Sequence, residues 1–171
     1  MSVMEAIRTR RSVRAYQDKD IPRETLEEIL NAARLAPSAR NKQKWNFVVV
    51  TDENIKQKLV PAANNQKFVG QAPVVIAGVA LEPAHVMSCD VPAYAVDLAI
   101  AMDHITLVAA EKGLGTCWIG AFSQQKAREV LEVPEKYKIV ELMPLGYPAD
   151  SPGTKDRKEL SEVVSFNKFS E

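Results

Sequence analysis

The sequence predicts an α+β (mixed α/β) fold, a sheet of three or four strands with four or five helices packed around it. Three observations carry this. Apolar runs of strand length occupy residues 47–51, 73–81 and 138–145, each bounded by polar or Pro/Gly-containing stretches. Between them lie segments with apolar residues at helical spacing, the longest over 94–112. The chain has 171 residues, 46% of them hydrophobic. That suits one domain burying roughly 70% of its unfolded surface.

Ser2-Val3-Met4-Glu5 has capping-box spacing, with Ser2 as N-cap and Glu5 reaching back. A short helix through about Arg8 follows, carrying Val3, Met4 and Ile7. Pro22 stands where a first helical residue is expected. Leu26, Ile29, Leu30 and Ala33 mark one helical face until Pro37 stops it. Residues 37–46 form a polar loop ahead of a strand at 47–51, and a helix is expected from Glu53 to about Ala62. Residues 64–67 make a second polar loop. The continuous apolar run 73–81 is that of a strand covered on both faces.

Residues 82–92 form a short loop whose His85, Cys89 and Pro92 match no metal spacing, so no metal site is expected. The helix over 94–112 ends at Gly113, suited to a left-handed cap. Ala95, Leu98, Ala99, Met102, Ile105 and Ala109 form one stripe on it, while Ile100, Leu107 and Val108 fall outside. A helix apolar on most sides is central to its domain or covered by a second subunit. His104 on it reads as a packed or surface residue. Residues 115–120 read as a strand whose glycines permit close backbone approach. A helix at 124–131 and a last strand at 138–145 follow. The tail, 150–171, carries Leu160, Val163, Val164, Phe166 and Phe169, which need a surface to bury against.

Lys plus Arg equals Asp plus Glu at 22 each, and the pI is about 6.8. That balance argues against a nucleic-acid partner. Two cysteines give neither a disulfide framework nor a metal site. With no signal-like N-terminus and no apolar stretch read as long enough for a bilayer, a reduced, cytoplasmic protein without a membrane partner is expected. Against this neutral background, Arg8, Arg10, Arg11 and Arg14 fall within seven residues, with Ser12 among them. Guanidinium forks grip phosphate through paired, charge-assisted hydrogen bonds. Alone, the run divides evenly between a solvated face and an anion site. Its exit from a helix end and a second basic cluster at Lys155, Arg157 and Lys158 favour one anion. Phosphate-binding glycine motifs are absent, and two poorly placed histidines leave no base for Ser38 or Cys117.

In order and spacing, several motifs together resemble the nitroreductase family of FMN-dependent flavoproteins, end to end. They are Ile7-x-x-Arg10-Arg11-Ser12-Val13-Arg14, Ala32-Ala33-x-x-Ala36-Pro37-Ser38 and Asn41-x-Gln43-x-Trp45-x-Phe47-Val48-Val49. Ala72-Pro73-Val74-Val75-Ile76, Gly113-Leu114-Gly115-Thr116-Cys117-Trp118-Ile119-Gly120 and Arg157-Lys158 complete the set. The resemblance implies a mostly antiparallel central sheet and a homodimer with FMN at the subunit interface and exchanged tails. It implies that Arg10, Arg11 and Ser12 hold the FMN phosphate with Lys155 and Arg157, and that Arg14 reaches the flavin ring. Pro37, Ser38, Ala39 and Asn41 are expected from the partner, Gln66 at the ring's polar edge, and the amides of Ile119, Gly120 and Ala121 near flavin N5. The implied reaction is ping-pong: NAD(P)H delivers hydride to the flavin, and an organic oxidant (nitroaromatic, quinone or flavin) removes it. No side chain need be catalytic, because the flavin supplies the chemistry. Two departures are Lys44, where the family has proline, and the short 82–92 loop. A non-catalytic flavin store or sensor is the rival reading.

Overall fold

Seven consecutive apolar or small residues, VVIAGVA, form strand β2 (Val74–Ala80), and all seven are buried. The structure is a computed structural model describing residues 1–151, 153 and 155–170. β2 pairs antiparallel with β1 (Trp45–Val50) on one side and β4 (Lys138–Gly146) on the other. The short β3 (Gly115–Thr116) pairs antiparallel with β4, giving the order β1-β2-β4-β3.

Alternating side chains of β2 enter two cores. Val75, Ala77 and Val79 pack with Leu59 and Ala62 of α3 (Glu53–Ala62), Val69 of α4 (Phe68–Gln71) and Ala127 of α6 (Gln124–Leu131). Val74 and Ile76 pack with Ile29 and Ala33 of α2 (Arg23–Arg34) and with Ala101, Met102 and Ile105 of α5 (Ala93–Glu111). Helices on both faces make β2 an unbroken apolar run. The fold is the expected α+β arrangement with a mostly antiparallel sheet.

Local chemistry explains most boundaries. α1 (Val3–Thr9) starts with both hydrogen bonds of the Ser2/Glu5 capping box. α5 ends with Gly113 at φ 72°, the Gly113 amide on Ala110 and the Leu114 amide on Ala109, a Schellman cap. Several expectations need correction. β1 begins at Trp45, and the four-residue α4 is too short to show a helical period. Only Gly115–Thr116 of the expected 115–120 strand is paired, followed by an isolated Ile119–Leu142 bridge. The buried face of α5 is Leu98, Ala101, Met102, Ile105 and Ala109, with Asp97 and Thr106 beside it; Ala95 and Ala99 are half-buried. By length and composition α5 is apolar enough to cross a bilayer, contrary to the sequence reading, but here it lies against α2 and the sheet.

The close approach expected of the glycines is found at Gly115, where an added Cβ would overlap Val13. That lets residues 12–17 run beside the sheet edge: Ser12 bridges Thr116, the Val13 amide donates to Thr116, and the Gln17 amide donates to Tyr147. In the tail, Leu160, Val163, Phe166 and Phe169 are exposed, the last two at 85% and 86%.

Opposite Gly78, Glu141 of β4 is fully buried, and neither carboxyl oxygen has a hydrogen-bond partner among the described residues. Burial pushes its carboxyl up to about 9, with Asp103 adding to the effect. The folded protein then keeps a proton that the unfolded chain releases in the ordinary carboxylate range. Stability is therefore full at acid pH and falls as pH rises toward about 9. Glu141→Gln should remove this slope. Urea unfolding between about pH 6 and pH 8 should show wild type losing on the order of 1 kcal/mol per pH unit relative to the variant.

Candidate functional site

Arg10 follows the last turn of α1 with extended backbone (φ −51°, ψ 133°), so the arginine run leaves the helix instead of lying along it. The run then meets the tail. Arg8, Arg10, Arg11, Lys155 and Arg157 line one pocket of about 640 Å³ together with Ile7, Asp103 and Leu107. Two basic clusters from opposite ends of the chain thus share one place. Burial first, then Arg10, Arg11 and Arg157, hold the Lys155 amine below its ordinary value. That mutual repulsion is what a bound dianion would relieve.

Not every cation there is uncommitted. Arg11 Nη1 donates to the carbonyls of Arg8, Thr9 and Arg10 at 2.6, 3.1 and 3.0 Å, and its Nε to Gly153 at 3.0 Å. Lys155 Nζ donates to the Ile7 carbonyl at 2.5 Å. Both cap the carboxyl end of α1, where orphan carbonyls and the helix dipole favour positive charge. Arg11 and Lys155, both expected on the phosphate, thus also clamp the end of α1. Ser12 and Arg14 are exposed.

Farther along, Arg14 and Arg10 lie close enough to Cys117 to oppose the upward push that burial gives its thiol. The Tyr16 hydroxyl, buried, lies 2.8 Å from the Val13 carbonyl and 3.2 Å from that of Pro144, fastening the run to β4. Gln66 Nε2 donates to Ala63 at 3.0 Å and to Ala121 at 3.3 Å, joining two of the expected loops. The Ile119 amide donates to Leu142 at 2.9 Å, so the sheet uses it. Of the three amides expected near flavin N5, Gly120 and Ala121 are exposed, and a Cβ built at Gly120 meets nothing within 4 Å.

Pro37, Ser38, Ala39 and Asn41 sit elsewhere. Ala39–Asn41 form a 3-10 turn in which Arg40 and Asn41 take φ of 53° and 54°, and Gln43 follows at 51°. Ser38 Oγ accepts the Gln43 amide at 3.0 Å, and Asp97 Oδ1 accepts the Ala39 amide at 2.9 Å. Asp97 and Leu107 are ten residues apart on α5, about 15 Å along its axis. Within one chain the loop and the basic pocket lie toward opposite parts of α5.

Sequence reasoning missed Asp97, Asp103 and Tyr16. An acid inside an otherwise apolar helix was the available signal for the first two. The Tyr16 clamp predicts that Tyr16→Phe, keeping the ring and losing the hydroxyl, lowers unfolding free energy by about 1 kcal/mol, measurable by denaturant titration.

The Nitroreductase family model matches residues 7–81 and 61–147. The FMN reductase (NAD(P)H) of Bacillus subtilis is 32% identical over 172 residues, covering 91% of this chain and 69% of that protein. A nitroreductase family protein from Clostridium novyi NT superposes with a TM-score of 0.84 at 37% identity, over 91% of this chain and 89% of that one. The NADPH:FMN oxidoreductase from Vibrio harveyi, solved with NAD+, gives 0.91 at 28% identity, over 99% of this chain and 78% of that one. The sequence motifs, the antiparallel sheet and these matches agree: the chain belongs to the nitroreductase family.

Proposed function

We propose that this chain is an FMN-dependent NAD(P)H oxidoreductase, working as a homodimer in the cytoplasm. It would pass hydride in ping-pong order to an organic oxidant such as a nitroaromatic, a quinone or free flavin. The observation that carries the reading is the meeting of Arg10, Arg11, Lys155 and Arg157 at one pocket. An FMN phosphate fits that site, since a dianion relieves the repulsion among those cations. Relatives named as FMN reductase and NADPH:FMN oxidoreductase support both cofactor and donor.

When bound, FMN supplies the hydride acceptor and donor. The chain supplies position and charge. Arg10, Arg11, Ser12, Lys155 and Arg157 would hold the phosphate, and Arg11 and Lys155 also keep α1 and the tail together around it. Arg14 would reach the ring, where its positive charge would favour the reduced flavin. Gln66 fixes Ala121 through its carbonyl, and the exposed Gly120 and Ala121 would offer their amides to the ring. Pro37, Ser38, Ala39 and Asn41 of a second copy complete the ring pocket. The exposed apolar tail and the partly exposed Ile100, Leu107 and Val108 of α5 supply apolar surface for that second copy. Unpaired Cys89 and Cys117 accord with a reducing compartment.

Two measurements test this. Purified protein should be yellow, bleach with NADH or NADPH without oxygen, and regain colour on adding a quinone. Flavin reduced by dithionite alone points to a store, and a protein with no flavin affinity overturns the reading. Arg10→Ala with Arg157→Ala removes two charge-assisted contacts at ~1.5–3 kcal/mol each. FMN affinity should fall at least ~10-fold and riboflavin affinity hold, by fluorescence titration; unchanged FMN affinity refutes the phosphate assignment.

A further inference from the structure

The 37–43 loop is held in a conformation its residues do not prefer. Arg40, Asn41 and Gln43 all adopt positive φ without being glycine. Asparagine tolerates that left-handed region, but at Arg40 and Gln43 it costs on the order of 1 kcal/mol or more each and persists where surrounding contacts over-determine it. Most of the loop's hydrogen bonds are internal: Asn41 amide to Ser38 carbonyl, Lys42 amide to Ala39 carbonyl, Gln43 amide to Ser38 Oγ and Gln43 Nε2 to Asn41. They shape the loop but do not anchor it.

Among the described residues, two polar side-chain contacts tie its 38–43 segment to the rest of the chain. Lys42 pairs with Glu82 at 3.0 Å, with both side chains partly exposed, so the pair is worth little. The other is Asp97. Only 9% exposed, it accepts the Ala39 amide at 2.9 Å from 58 residues away. Ser38 occupies the N-cap position of the 3-10 turn but makes no capping bond, because its hydroxyl serves Gln43. The orphan amide at the start of the turn therefore takes its acceptor from α5. Asp97 is a cap delivered from another element.

We infer that Asp97 is a positioning residue for flavin binding. From α5 it fixes the 37–41 loop that one copy offers to the flavin ring of the other. This rests on the functional reading above and extends it to a residue that does not touch the cofactor. The carboxylate acts through the Ala39 amide. Asp97→Asn keeps an acceptor there and Asp97→Ala does not. Ala39→Pro deletes the donor instead, at a first-turn position that tolerates proline and after Ser38, whose extended backbone (φ −142°, ψ 158°) suits a following proline.

The experiment titrates wild type, the three single variants and the Asp97→Ala/Ala39→Pro double variant with FMN and with riboflavin, and follows hydrogen exchange at Ala39–Gln43. Asp97→Ala should weaken both flavins by the same factor, at least ~5-fold. The FMN-to-riboflavin affinity ratio should stay at its wild-type value, because the phosphate grip is untouched. Asp97→Asn should recover most of the affinity. Faster exchange in the loop should accompany the loss, and Asp97→Ala combined with Ala39→Pro should be no worse than the weaker-binding single variant. If Asp97→Ala does not fold, the same reading applies to Ala39→Pro against wild type. Wild-type affinity in a folded Asp97→Ala overturns the assignment, as does a loss confined to FMN. A wild-type chain that binds neither flavin overturns the functional reading, and the role of Asp97 falls with it.

Discussion

Burial of β2 on both faces is the constraint on which the rest of the structure depends. One strand carries two cores, so α2 and α5 lie on one side of it and α3, α4 and α6 on the other. That choice fixes α5 across the sheet, and the two ends of α5 then address different regions. Asp97 meets the 37–43 loop, and Asp103 with Leu107 meets the basic pocket. A packing requirement at the centre thus sets the spacing between the loop and the basic pocket within one chain.

Electrostatics works at the periphery in the same economical way. The carboxyl end of α1 leaves carbonyls without helical partners, and Arg11 and Lys155 take them. These bonds place cations around a pocket before any anion arrives, and they join the first and last segments of the chain. Burial first, and then the neighbouring Arg10, Arg11 and Arg157, keep the Lys155 amine below its ordinary value. Cations gathered in this way are the arrangement that the proposed phosphate would relieve.

Much of this was legible in the sequence, and the reasons differ by element. The Ser2/Glu5 box, the unbroken β2 run, and α3 and α6 were readable because local propensity and burial agree there. α4 was not, since four residues give no period, and the 115–120 strand was overread because apolar composition does not say where pairing stops. The α5 stripe was drawn too far toward Ala95 and Ala99, since helix crossing, which no periodicity records, selects the buried face. At the site, motif order located the arginine run and the loops. The commitment of the Ile119 amide to Leu142 and of Arg11 to α1 depends on partners brought in by the fold. The role of Asp97 stayed hidden for the same reason, its partner lying 58 residues away, although an acid in an apolar helix marked the position.

The edge position of β1 carries a consequence for the chain before it is folded. Trp-Asn-Phe-Val-Val-Val is uncharged, free of proline and rich in β-formers, and among the described residues it pairs with β2 alone. A segment of that kind, exposed on a nascent chain, is a template for self-association. Lys42 and Lys44 before it and Asp52 and Glu53 after it set charge at both ends, the placement of gatekeepers. Lys44 sets a positive charge at the mouth of the strand. Charge that opposes self-association of the unfolded chain thus stands directly beside the 37–43 loop.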